Sequence, residues 1–517
     1  MEVWDIYAEA VEEYKAKNFD AALKFLDEIK KIAPGYRKAH MLEAYIWRDC
    51  NNNVKIFDAL NRLMPLLNPA DPDQEGMISY SLSLFAGACR ELGLQEESVK
   101  FAVLSAERFK DNHDSCDEQG NAIFAAALAE NFSAADFQKL YDKYEEYLSD
   151  IVPYPKKFYA HEKIRVGFLS GDFRVHPVMK WAWALIYKLD KNFFTTYCYS
   201  ARKEYDAITK YVSATVENWR DISSLEDAQA AELIRSDEID ILFDLSGHTS
   251  GNRLRVAAYR PATVQISGIG FINSTGLKCF DYFLSDVYCA GNSEKYFTEK
   301  LLCLPHSHIC FEPSERPEIG GVPSLRKNFV TFSCFNQYGK ITDSILIAWK
   351  KILDAVPNSR LILKNKLLSN DDGKNFFSKR LKNLGIDIER IDLRGTSADY
   401  LRQYDDVDIA LDTFPYTGGV TTCEALYMGV PVVSLYGEKH GTRIGYSILK
   451  NVGLDELAVN SYDDYISRAI MLTGDKELLK ILRKNLRGMM TKSPLMNSEI
   501  YIRDVQEAFI KILRDNR

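Results

Sequence analysis

The sequence predicts an all-α helical array followed by two doubly wound α/β lobes, each built on a mostly parallel sheet. Three observations carry this reading. Up to about residue 148, apolar residues recur at helical spacing and no strand-like run interrupts them. From Ile164 onward, short apolar runs rich in β-branched residues alternate with amphipathic stretches, the pattern of βαβ units. That alternation lapses in a Pro- and Gly-containing stretch, Glu312 to Pro323, and then starts again. The implied division is 1–150 for the array, 160–322 and 323–496 for the lobes, and 497–517 for a closing helix that packs back on the first lobe.

In the array, Tyr7, Val11 and Tyr14 form one apolar stripe and Phe19, Ala22, Leu23, Leu26 and Ile29 a second. Ala16 to Asn18 breaks them into two helices, and Pro34-Gly35 ends the pair. A hairpin of about 34 residues with this pattern resembles a tetratricopeptide repeat. Less regular pairs follow at Arg37 to Leu66, Gly76 to Lys110 and Asn121 to Leu148; a plain helical bundle is the alternative. In the first lobe, strands are expected at 164–170, 197–200, 239–245 and 264–269. In the second they are expected at 329–334, 359–364, 391–394, 407–411 and 431–435. Ligands of such folds sit beyond the carboxyl ends of the strands.

Composition narrows the function classes. Hydrophobic residues at 46% and charged residues at 27% of a 517-residue chain describe an ordinary globular protein, not a disordered one. A net charge of −8 offers no field for a nucleic-acid backbone, so no nucleic-acid partner is expected. No apolar run reaches the length of a membrane span, and Met1 to Ala10 lacks a signal-peptide pattern. The ten cysteines form no CxxC pair; buried reduced thiols in a cytoplasmic protein are the expectation.

Four loops beyond strand ends carry candidate chemistry. In Asp412 to Pro431, Gly418 and Gly419 let the backbone approach a ligand, and Thr421 and Thr422 open a helix. Free N–H groups and the positive end of the helix dipole there suit a diphosphate. Thr417 precedes the glycines, and Glu424, just inside the helix, is placed to accept from ribose hydroxyls. In Cys334 to Lys340, Lys340 supplies a point charge and Asn336 and Gln337 amide donors. In the first lobe, His176 follows the first strand and His248, between Gly247 and Gly251, follows the strand at 239–245. An imidazole there can accept a proton at neutral pH. His306 and His308 have no Asp or Cys completing an obvious metal set, and Asp405, Asp406 and Asp408 read as a solvated face, so no metal site is expected.

These loops, together with RVGFLSGDFRVHP, DILFDLSGHTSGNR, YRPATVQISGIGF, VTFSCFNQYGKI, DIALDTFPYTGGVTTCEALYMGVPVVSL and KSPLMNSEIY, resemble the catalytic region of glycosyltransferase family 41, the O-linked N-acetylglucosamine transferases and their bacterial relatives. The resemblance spans about residues 160 to 510, in order and spacing. It implies a GT-B fold and inverting, metal-independent transfer without a cofactor, from UDP-N-acetylglucosamine to Ser or Thr hydroxyls of a protein acceptor held near the helical repeats and the inter-lobe cleft. By position it makes His176 the active-site histidine, Lys340 the diphosphate-binding lysine and Gln337 a donor contact. Thr421 and Thr422 fall at the phosphate-binding helix start, Glu424 at the ribose contact, and the backbone near Gly395-Thr396 faces uracil. Gly419 stands where the animal enzymes carry a histidine, their long insert between the lobes is missing, and the repeat array is short, all of which points to the bacterial type. Asn glucosylation from UDP-glucose, an inactive UDP-sugar-binding scaffold and a UDP-sugar epimerase are the alternatives.

Overall fold

The computed structural model describes residues 2–516. Four helix pairs come first: α1 (Val3–Lys15) with α2 (Phe19–Ile32), α3 (Arg37–Asp49) with α4 (Asn53–Leu63), α5 (Glu75–Glu91) with α6 (Gln95–Ala106), and α7 (Asn112–Leu128) with α8 (Ala134–Tyr147). The first pair turns at Lys17, with φ 61°, where the sequence breaks its apolar stripe. Helix α7 starts well before the expected Asn121, because the Asp111 carboxylate caps it by accepting from His113 N at 2.8 Å. Successive pairs bury Ile6, Leu26 and Ile46, then Ile56, Leu60 and Phe85, so each supplies the next with an apolar face.

The first lobe runs β1 (Ile164–Ser170), α9 (Met179–Tyr187), β2 (Phe194–Ser200), α10 (Ala207–Thr215), β3 (Asn218–Asp221), α11 (Asp227–Ser236), β4 (Ile241–Asp244), α12 (Leu254–Ala258), β5 (Val264–Ser267), β6 (Tyr282–Asp286), α13 (Val287–Ala290) and β7 (Lys300–Leu304). Its sheet is parallel in the order β3-β2-β1-β4-β5-β6-β7. The second lobe runs β8 (Val330–Cys334), α14 (Asp343–Ala355), β9 (Ser359–Lys364), α15 (Asp371–Asn383), β10 (Ile391–Arg394), β11 (Ile409–Leu411), α16 (Val420–Tyr427), β12 (Val432–Leu435), α17 (Ile444–Val452), β13 (Ala458–Val459), α18 (Tyr462–Gly474), α19 (Lys476–Lys492) and α20 (Ser498–Asp515). Its sheet has the same winding, β10-β9-β8-β11-β12-β13. Strand order reverses beside β1 and β4 in one lobe and beside β8 and β11 in the other. Those four strand ends carry the four loops singled out above.

Strands β3, β6, β7 and β13 carry weaker sequence signals. β3 (Asn-Trp-Arg-Asp) is a half-buried edge without a β-branched residue, and β13 has two residues. The acidic run before β11 is not a solvated face as expected. Asp408 is buried and accepts from Ser324 N at 2.9 Å and Thr331 N at 2.8 Å, tying the start of the second lobe to its central strands.

Helix α20 crosses back to the first lobe. Its Phe509 ring lies 6.3 Å from that of Phe243 on β4, and Tyr501 donates to the carbonyl of His308 at 3.2 Å. The array touches both lobes: Gln95 Nε2 donates to Gly339 O at 2.7 Å, and Tyr141 packs so closely on Gly276 that a Cβ there would lie 2.1 Å from its ring. Because Phe509 is fully buried, Phe509→Ala is expected to destabilise the fold by about 3–5 kcal/mol, read as a lower urea midpoint at unchanged slope.

Candidate functional site

The loop from Asp412 to Gly419 is organised by one carboxylate. Asp412, at the end of β11, is buried; its Oδ1 accepts from Gly418 N at 2.6 Å, Thr413 N at 2.8 Å and Asn336 Nδ2 at 3.2 Å. Its Oδ2 accepts from Ser434 Oγ at 2.7 Å. Burial raises its pKa, and these hydrogen bonds oppose that rise. Gly418 has no substitute here, since a Cβ would sit 2.4 Å from Thr422 Oγ1 and 2.8 Å from Thr421 Oγ1. Thr421 Oγ1 donates to Asn336 Oδ1 at 2.6 Å, which joins the loop after β8 to the start of α16. In the sequence, Asp412 is marked only by its place at a strand end, just ahead of the glycines.

Between the lobes lies a cleft of about 320 Å³. The second lobe lines it with Asn336, Gln337, Lys340, Thr417, Gly419 and Thr421. Lys340 Nζ sits 4.3 Å from the centre of the Tyr416 ring and 3.4 Å from Thr417 O. Burial lowers its pKa to about 8, while Asp412 draws it up. The first lobe faces these groups with Asp172, His176 and Trp181, and the array contributes Phe124 from α7. His176 Nδ1 lies 3.5 Å from Asp172 Oδ2. Burial lowers its pKa, so the ring is neutral at pH 7 and can take a proton. Asp172 lies four residues before His176 in the same motif, whereas no local motif marks Trp181 or Phe124 as cleft residues. The arrangement can hold a polyanion against Lys340 and the N-terminus of α16, with a base on the opposite wall.

Other expected site residues stand elsewhere. His248 is removed from the proton-transfer role, because it is buried outside the cleft, between the first lobe and the array. Its Nε2 meets Thr275 O at 2.7 Å and its ring packs edge-on to Tyr144 and Phe271. Glu424 is not free for ribose hydroxyls in this arrangement. Its Oε1 accepts from Lys180 Nζ of the first lobe at 2.5 Å and from Tyr400 OH at 2.8 Å. Thr422 is buried and Gly418 supports the loop from behind, so neither lines the cleft. Thr396 is exposed at the end of β10, bonded through its N–H to Ser369 Oγ at 3.1 Å. His306 pairs with Asp504 on α20 at 2.7 Å, whereas His308 has the Asp and Cys neighbours that its sequence surroundings did not suggest.

Two facing lobes of this winding, with a cleft at both switch points, define a GT-B-type glycosyltransferase fold. The chain belongs to glycosyl transferase family 41, whose family model matches residues 138–313 and 322–505. A probable UDP-N-acetylglucosamine--peptide N-acetylglucosaminyltransferase SPINDLY of Solanum lycopersicum is 37% identical over 73% of this chain and 41% of that protein. A UDP-N-acetylglucosamine--peptide N-acetylglucosaminyltransferase of Caenorhabditis elegans is 22% identical over 67% of this chain and 40% of its own length. The chain thus spans about two fifths of these curated relatives. A solved O-GlcNAc transferase from Thermobaculum terrenum, a point mutant, superposes with a TM-score of 0.85 at 29% identity, covering 99% of this chain and 98% of that one. Among the described residues no helix is long and apolar enough to cross a membrane.

The burial of His248 has a measurable consequence. Its pKa falls from 6.5 to about 4 in the folded protein, so between those values the unfolded chain holds more protons. Stability from this group is complete above about pH 6.5 and is lost as the pH falls towards 4, by up to about 3 kcal/mol. Urea unfolding at pH 7.5 and 4.5 is expected to show a smaller stability difference for His248→Gln than for the unaltered chain.

Proposed function

We propose that the chain is an inverting protein glycosyltransferase that moves N-acetylglucosamine from UDP-N-acetylglucosamine to Ser or Thr hydroxyls of a protein acceptor. The observation that carries this is the cleft itself, in which Lys340 and the α16 N-terminus stand opposite His176. Family membership, and the names of relatives and of the superposed structure, support the donor and the acceptor class. In this reading the diphosphate lies against Thr417, Gly419 and Thr421, with Asn336 and Gln337 beside it. Its growing negative charge on departure is met by Lys340 and the helix N-terminus, and no metal takes part in the step.

The acceptor oxygen attacks the anomeric carbon from the face opposite the diphosphate. The bond from that carbon to the phosphate oxygen breaks, and its electron pair leaves with the diphosphate. His176, neutral and beside Asp172, takes the acceptor's proton. Thr249 and Ser250 line both the cleft and an adjoining groove of about 400 Å³ between the array and the first lobe. That continuity supports an acceptor segment entering between the helices and the lobe. A cytoplasmic location fits the free cysteines and the nucleotide-sugar donor.

Intact-mass spectrometry of candidate proteins co-expressed with the chain tests the assignment. Gain of one N-acetylhexosamine on Ser or Thr is expected; gain of a hexose on Asn, or no gain with any UDP-sugar, overturns it. Lys340→Met is expected to lower transfer about 10²–10³-fold while the fold persists. Because the Lys340 ammonium is lost as the pH rises through about 8, UDP affinity measured by calorimetry falls above that pH, and Lys340→Met levels the dependence. His176→Ala is expected to lower kcat about 10²–10⁴-fold with UDP affinity nearly unchanged.

A further inference from the structure

Where the two lobes meet, three potential metal ligands from separate segments converge. Cys289 lies on α13 and His308 in the loop after β7, both in the first lobe; His440 lies on the turn between β12 and α17 in the second. One donor atom from each lies within 4.8 Å of the others, and all three residues are buried. His440 is driven into the first lobe, its ring 5.3 Å from Phe283, 5.6 Å from Phe297 and 5.5 Å from His308. Neither the donor cleft nor the proposed transfer uses the sulfur or the His440 ring.

The surroundings of these rings match what metal-binding histidines require. His440 Nδ1 donates to Ile272 O at 2.9 Å, which leaves Nε2 as its basic nitrogen. His308 Nδ1 meets Asp286 Oδ2 at 2.5 Å, the carboxylate–imidazole pairing that orients a ligand and raises its basicity. Asp286 is itself fixed from both lobes, accepting from Ser447 Oγ at 2.8 Å and Cys289 N at 2.8 Å. The groups that now complete the donors are exchangeable. Ser285 Oγ lies 2.9 Å from His440 Nε2, and Cys289 Sγ makes a contact of 3.5 Å to Arg443 O.

We infer that Cys289, His308 and His440 form a binding site for a borderline-soft divalent cation, Zn²⁺ being the member that fits, which ties the two lobes together beside the cleft. Two imidazoles and a thiolate are a three-ligand zinc set, with the fourth position left to water. In a tetrahedral set, Zn–S and Zn–N bonds of about 2.3 and 2.0 Å place the donors roughly 3.3–3.5 Å apart, so the cluster closes with side-chain shifts of about 1–1.5 Å. The thiol proton goes to solvent on binding. The thiolate and the Asp286 carboxylate then balance the charge of the ion, so the buried site is neutral overall. His308 also lines the cleft, which provides a route of entry.

Cobalt(II) titration of the full, chelator-stripped chain, without any nucleotide, tests this independently of the transfer reaction. One equivalent with a thiolate-to-cobalt charge-transfer band, displaced by Zn²⁺, is expected. Cys289→Ser is expected to abolish the band and His440→Gln to weaken binding by about tenfold or more, while Cys50→Ser and Cys303→Ser leave the band unchanged. Zn²⁺ is expected to raise the melting temperature of the unaltered chain and not that of Cys289→Ser. No thiolate band, or a band that survives Cys289→Ser, overturns the proposal. If His440→Gln loses its cooperative melt, Cys289→Ser, which exchanges one atom, decides alone.

Discussion

The buried carboxylate of Asp412 is the interaction on which the second lobe's side of the cleft depends. A carboxylate taken out of water is costly unless its lone pairs are filled. Here they are filled by two backbone N–H groups of its own loop, by Ser434 on β12 and by Asn336 on the loop after β8. Those donors belong to three segments that meet at one switch point, so satisfying the charge fixes all of them at once. Asn336, held by its amide nitrogen, is left with its carbonyl oxygen towards Thr421, which sets the start of α16. The same negative charge draws on Lys340, whose ammonium burial would otherwise weaken. The anion site is thus positive on its open side because it is anchored by a negative group beneath.

The lobes are joined by more than their shared apolar core, which runs without a break from Val166 to Leu513. Lys180 on α9 reaches Glu424 on α16, and a Cβ on Gly419 would come within 3.1 Å of the Trp181 ring. This approach gives a reason for glycine at 419 that differs from the one read in the sequence. There the residue served close contact with a ligand; in the structure it also admits an indole from the opposite lobe. The Lys180–Glu424 pair sits where the donor's ribose was expected, so donor binding in the proposed reaction exchanges one partner of Glu424 for another. A buried ion pair that must be remade on binding moves with the gap between the lobes.

Much of this was legible in the sequence. Period changes located the helical pairs and the central strands, because a strand buried on both faces reads as an unbroken apolar run. The places of Gly419, Lys340 and His176 on the cleft were legible because each lies in a short motif just beyond a strand end. What escaped has a common physical cause. His248 sits at a strand end beside glycines, as His176 does, but its direction is set by α7: Gly120 leaves room for it, since a Cβ there would lie 3.0 Å from Nδ1. Likewise the sequence neighbours of His308 supply no ligand set, whereas Cys289 and His440 reach it through tertiary packing. A motif fixes what a loop carries; where its side chains point depends on partners that tertiary packing brings from other segments.

That dependence bears on the helical array, which is part of the site rather than an appendage to it. Phe124 of α7 reaches the cleft wall, and Glu130, just beyond α7, accepts from Thr342 and Ser344 at the start of α14 at 2.8 Å each. Helix α14 begins only a few residues after Lys340, so the array braces the segment that carries the cleft's cation. On the other side, Arg255 of α12 binds Asp150 at 2.7 Å, and Tyr141 fills the space above Gly276. The array therefore spans the gap between the lobes along one edge of the cleft. A segment lying along the array's groove is held by the same helices that position Lys340 and the loop at 249–250. In the proposed transfer, acceptor recognition and donor geometry are for that reason mechanically linked, and a helical domain with few repeats suffices to make the link.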